Sequence, residues 1–246
     1  MLVLLPPSET KRDGGEPGSS LDLAGLSYPE LATHRTETLD ALRKLSRNLS
    51  VATGALGLGP TQRFEVDRNR VVLSSPVMPV IDRYTGVLFD GIAAETLGDS
   101  ERQWVLEHVA VNSALFGLVG AGDRIPAYRL SHDSRLPGLS LKKHWRQAIG
   151  GLIAREPGLV LDLRSESYAS LGPAPESATY IRVVSEGARG RRVALSHFNK
   201  KGKGEFTRAV IAAGIEHASV DELVAWAAGE GIRLEAGAPG ELDLVL

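Results

Sequence analysis

SLKKHWRQAIGGLIA (140–154), followed by LVLDL (159–163), decides the fold class. Leu141, Trp145, Ile149, Leu152 and Ile153 recur at helical spacing, and the short apolar run after them reads as a buried strand. The next residues, RSESYASL (164–171), turn polar at once. Arg164 and Ser165 thus stand where the carboxyl ends of strands present ligand contacts in α/β sheets. A cap on a short following helix is the competing role for Ser165. Asp162 and Glu166 form an i, i+4 carboxylate pair across the strand end, a weak signal for acid–base or metal chemistry.

The same alternation extends outward. LVLL (2–5) reads as a buried strand, PPSETKRDGGEPGSS (6–20) as loop, and residues 29–49 and 99–109 as helices. VVLSSPVMPVI (71–81) is strand-like but cut by Pro76 and Pro79, which suits an edge. ATYIRVV (178–184) and RRVALSHF (191–198) are expected to pair as a hairpin. Residues 205–213 and SVDELVAWAA (219–228) read as helices, the second opening on a Ser219/Glu222 capping box. The tail IRLEAGAPGELDLVL (232–246) suggests two strands around an Ala-Pro-Gly turn. The whole chain, 1–246, is therefore expected to form one α/β domain with a mixed sheet flanked by helices.

A net charge of −2 excludes a uniformly cationic surface, so any polyanion must be met by a local basic patch. The chain has no cysteine, which removes disulfides and thiolate nucleophiles. No apolar run approaches a membrane span, and a cytoplasmic location is expected. Two basic stretches stand out. In SHFNKKGKGEFTRAV (196–210), Lys200, Lys201 and Lys203 surround glycines ahead of an apolar-periodic segment, with Arg208 one turn after Gly204. Read as a strand-to-helix loop, this places freed backbone amides and ammonium groups where they attract anions. It lacks the GxxxxGK[ST] spacing of a phosphate loop, and a solvated turn is the plain alternative. From Arg124 to Arg146 lie Arg129, Arg135, Lys142 and Lys143, opposed only by Asp133. Tyr128 and Trp145 interleave with them, although the apolar phase of Trp145 marks it as core. Gly117, Gly120 and Gly122 break an apolar run, read as a hairpin between helices whose amides could meet a phosphate. The six histidines show neither HxH nor HExxH spacing, so no metal site and no cofactor are expected.

Taken in order, LVLLPPSETK, YTGVLFDGI, LFGLVGAGDRIPAYRL, KKHWRQAI, VLDLRSESYASL and SHFNKKGKGEFTRAV make the chain resemble the YaaA family of bacterial peroxide-stress proteins almost end to end. The resemblance implies an α/β fold with a basic cleft and a helix-hairpin-helix-like element. It also implies binding to duplex or branched DNA without sequence specificity, in a response that lowers iron and limits oxidative DNA damage. The candidate anion contacts are then Lys200, Lys201, Lys203, Gly204, Arg208, Arg129, Lys142, Lys143, Arg164, Ser165 and Lys11, with Gly117, Gly120 and Gly122 as the hairpin. Two departures stand out. Val119-Gly120-Ala121 replaces the family's Leu-Arg-Pro, and Pro7-Ser8-Glu9-Thr10 replaces its Pro-Ala-Lys-Thr, with Lys11 following.

An enzyme acting on a nucleotide or other small phosphorylated substrate is the alternative, with Lys200, Arg129 and Ser165 holding the anion. Iron sequestration is disfavoured by the absence of cysteine and of clustered histidine. If one cleft unites the cations, Lys142, Lys143 and Lys200 share a face, and Ser165, Glu166 and Tyr168 lie beside it. No oligomeric state follows from the sequence.

Overall fold

A computed structural model describes residues 1–186, 192–194 and 198–246. The chain opens with β1 (Leu2–Leu5), every residue of which is buried, as befits a strand covered on both faces. After a long loop come α1 (Ala32–Ser46), α2 (Leu49–Ala55) and α3 (Phe64–Arg70). β2 (Met78–Pro79) leads into α4 (Val80–Arg83), α5 (Val87–Ile92) and α6 (Asp99–His108). β3 (Val109–Ser113) turns tightly into β4 (Gly117–Gly120), and β5 (Arg124–Ile125) follows to pair with β2. α7 (Leu141–Ile153), β6 (Val160–Asp162), α8 (Glu166–Ala169), β7 (Thr179–Glu186) and β8 (Arg192–Ala194) continue the chain. It ends with α9 (Phe198–Ala213), α10 (Val220–Gly229), β9 (Leu234–Ala236) and β10 (Glu241–Val245).

The main sheet runs β4-β3-β1-β6-β7-β10-β9, with β8 against β7. Its centre, β3-β1-β6-β7-β10, is parallel, and β4, β8 and β9 pair antiparallel. This is the mixed sheet the alternation predicts. The expected β7–β8 pairing and the tail hairpin are both present. Ser196 and His197 lie outside the described residues. α7 buries the predicted residues, with Trp145 fully enclosed and its Nε1 donating to Ala114 O at 2.9 Å.

Three expectations are corrected. NKKGKG is not a loop: the helix runs through it from Phe198. Gly204 abuts Leu88 and Gly91 of α5, and Gly202 abuts Val183 and Leu246. Close packing outweighs the roughly 1 kcal/mol that glycine costs a helix. Second, Gly117 and Gly120 belong to a β-hairpin between β3 and β4, not to a hairpin between helices. A side chain at Gly117, whose φ is +68°, would overlap Trp145, and one at Gly122 would meet Leu106. Third, most of VVLSSPVMPVI is turn and helix, and only Met78–Pro79 is strand.

Candidate functional site

From β1 the chain travels to β3 on one side of the sheet, whereas from β6 it travels to β7 on the other. The loops leaving β1 and β6 therefore diverge, and ligands of open parallel sheets bind in the crevice such a switch point opens. Three candidates gather there or on its flank: Lys11, Arg129 and Arg164.

Lys11 lies in the loop after β1, where it forms an isolated bridge to Tyr84. Only 7% of it is exposed, and its ammonium donates to Ser8 O and Glu9 O at 2.9 and 3.0 Å. It stands over the rings of Tyr128 and Tyr84, 4.2 and 5.2 Å from their centroids. The two hydroxyls meet at 2.7 Å, and Tyr128 continues to Ser113 Oγ at 2.7 Å. Ser113 Oγ accepts from Leu115 N and Phe116 N, so the chain of hydroxyls is anchored on the β3–β4 turn. Arg129 is 6% exposed and reaches Glu9 at 2.6 Å, while its Nε has no acceptor among the described residues. Asn69 of α3 holds the Arg129 backbone from both sides, at 2.8 Å each. Desolvation pulls the Lys11 ammonium down to about 7, and Arg129 and Arg68 add to it against the opposing pull of Glu65. Burial likewise pushes the Tyr84, Tyr128 and Tyr168 hydroxyls well up.

α8 joins this centre to a second. Ser165 caps α8 by accepting from Tyr168 N, so the local role holds for it. Tyr168 is buried with its ring against His132, and the charges of Glu9 and Asp133 bear on it. On the other side, Arg164 is fully buried, with a bidentate pair to Asp162 (2.6 and 2.8 Å) and bonds to Asn112 and Gly172 O. Lys203, 2% exposed, donates to Arg164 O at 3.1 Å and lies 4.7 Å from the Tyr180 ring centroid. Desolvation lowers it to about 8 against the pull of Asp162. Beside it opens a groove of about 880 Å³ lined by Asp162, Glu166, Glu176, Tyr180, Arg182 and Glu241. Its remaining lining is mostly alanine and proline, and among its charged side chains only Arg182 is basic, so this groove is not the expected basic cleft.

The remaining calls divide. Gly204 is buried between helices, and Arg208 pairs with Glu101 at 3.2 Å. Lys200 and Lys201 are exposed on the first turn of α9, Lys201 within 3.6 Å of Glu205. Lys142 and Lys143 are exposed on the first turn of α7, and no described contact joins them to Lys200. Glu65, Asn69, Tyr84 and Ser113 escaped the sequence reading. α3 turns Glu65 and Asn69 inward with Val66, so its buried side carries no apolar stripe to find. Among the described residues no cluster of three or more His, Cys, Asp or Glu could hold a metal, and no helix is long and apolar enough to cross a membrane.

The family model for peroxide stress protein YaaA matches residues 1–236. The chain belongs to the YaaA family. A UPF0246 protein of Corynebacterium efficiens is 42% identical over 240 residues, covering 96% of this chain and 95% of that one. A UPF0246 protein of Streptomyces coelicolor is 37% identical over 246 residues, covering 98% and 94%. An uncharacterized protein of Campylobacter jejuni is 26% identical over 210 residues, covering 83% and 82%.

The downward shift of Lys11 predicts a pH-dependent stability. Folded Lys11 holds its proton less tightly than the unfolded chain, whose lysine titrates near 10.5. Between about pH 7 and that value the unfolded state binds more protons, so stability rises with pH, by up to about 1.4 kcal/mol per unit. Below about pH 7 the penalty is present in full. Urea unfolding from about pH 6 to about pH 9.5 should show the parent gaining on Lys11→Met across the window. Lys203 titrates in both proteins and cancels. Parallel curves would contradict a buried, desolvated Lys11.

Proposed function

We propose that this protein serves the peroxide response by gripping the DNA backbone, and that α7 makes the contact. One observation carries this reading. Lys142, Lys143 and Arg146 are exposed together at the start of α7, and among the described residues none has a carboxylate within ion-pair distance. No acid stands in that first turn, and the N-cap residue Ser140 accepts no hydrogen bond with its side chain. The positive end of the helix dipole and three free cations therefore face solvent together, a combination suited to phosphate oxygens. Elsewhere several exposed arginines are neutralised, as Arg155 is by Glu30 and Arg233 by Glu186 and Glu235. Lys200 on α9 adds a further exposed cation with no ion pair among the described residues. Contacts of this kind position a protein on the duplex without reading bases. Fluorescence titration with duplex and branched DNA, alongside a mononucleotide panel, tests it: similar affinity for unrelated sequences supports the reading, and binding to a mononucleotide alone refutes it.

A second reading, an enzyme acting on a small anionic substrate, is favoured by the Lys11–Arg129 centre. Two nearly buried cations share it, one guanidinium nitrogen lacks an acceptor among the described residues, and linked hydroxyls adjoin them. Such a centre is built for chemistry more than for holding a duplex.

A further inference from the structure

We infer that Lys11 is a nucleophile that forms an imine with a small carbonyl compound bearing an anionic group, the anion being held by Arg129. The inference rests on the second reading above and names its substrate class.

Three features of the centre converge on this chemistry. The Lys11 amine is clamped by two backbone carbonyls and stacked on Tyr128, so its position is fixed by the fold and not by a mobile side chain. A linked series of hydroxyls, Tyr84–Tyr128–Ser113, fixes the two rings beneath that amine. Arg129 supplies a guanidinium whose Nε lacks an acceptor and whose Nη2 is occupied by the carboxylate of Glu9. Glu9 is 58% exposed, so a carboxylate or phosphate arriving from solvent can take its place. In the same loop the Thr10 hydroxyl bonds those of Ser8 and Thr85, at 3.2 and 3.1 Å.

The step balances without a further reactant. The amine nitrogen attacks the carbonyl carbon, forming the C–N bond as the π pair moves to oxygen. The oxygen then leaves as water, with both of its protons drawn from the attacking nitrogen. The product is the imine. A desolvated lysine suits this role, as in other Schiff-base lysines. At pH 7 an amine titrating near 7 is about half neutral, against roughly one part in 3,000 for an ordinary lysine.

The test uses the full chain with two probes, pyruvate for the carboxylate source and glycolaldehyde phosphate for the phosphate source. Each is incubated with protein and cyanoborohydride near pH 7, and modified lysines are located by peptide mass mapping. The expected result is a reduced adduct at Lys11, about ten-fold or more above Lys142, Lys143 and Lys200, with one probe preferred. Arg129→Gln should lower the Lys11 adduct while leaving the surface lysines unchanged. Because the mapping is done on the parent protein, a poorly folding Lys11 variant does not block the test. Calorimetric binding of either anion without an adduct at Lys11 overturns the imine and leaves the small-anion site standing. Neither binding nor adduct overturns both.

Discussion

Arg164→Ala should cost about 3–5 kcal/mol, because it removes one partner of a fully buried ion pair and strands the other. Asp162 is 3% exposed and receives Arg164 through two side-chain bonds and a backbone amide. The same guanidinium ties Asn112 of β3 to Gly172 beyond α8, so three segments of the sheet's carboxyl edge lose their common donor. Arg164→Lys should recover only part of the loss, since one ammonium cannot reproduce the planar fork. Urea denaturation measures it. A loss under about 1 kcal/mol would contradict this, showing that water satisfies the Asp162 carboxylate once the guanidinium is gone.

Gly204→Ala should destabilise by about 1–3 kcal/mol or more, although alanine is the better helix former by about 1 kcal/mol. The added Cβ would lie 2.3 Å from Leu88 O and 3.2 Å from Gly91 Cα, both backbone atoms of α5 that cannot rotate away. For a chain of this length each kcal/mol lowers the melting temperature by roughly 2–4 °C. If Gly204 were instead a solvated loop glycine, the same change would leave the melting temperature unchanged or raise it. The sign of the shift therefore separates helix crossing from phosphate cradle.

The two substitutions mark where the sequence was legible and where it was not. LVLDL and LVLL read correctly because their neighbours cover both faces, which leaves an uninterrupted apolar run. α7 read correctly because one side is apolar and the other charged. NKKGKG misled because glycine has two uses that look alike in sequence, a freed backbone and a close approach. Only the position of α5 distinguishes them. Lys203 shows the same limit: its charge beside glycines suggested an anion contact, yet it passes inward to Arg164 O. The Lys11 centre was only partly visible, through Lys11 and Arg129. Its other members come from α3, the Tyr84 turn and the end of β3, segments far apart in sequence whose polar residues point inward. Polar residues that break the apolar pattern of a buried element are the signal that would have found them.

The most direct test of the DNA-backbone reading is the salt dependence of duplex binding, measured for the parent and for Lys142→Ala/Lys143→Ala/Arg146→Ala. Each phosphate contact releases condensed counterion, so the log–log slope should shrink by about 0.9 per lost contact, about 2.7 for all three. Thermal stability should change little, since these side chains are exposed and unpaired. A smaller slope with weaker binding to every sequence is the predicted result. An unchanged slope and affinity, or no duplex binding by the parent even at low salt, would contradict it.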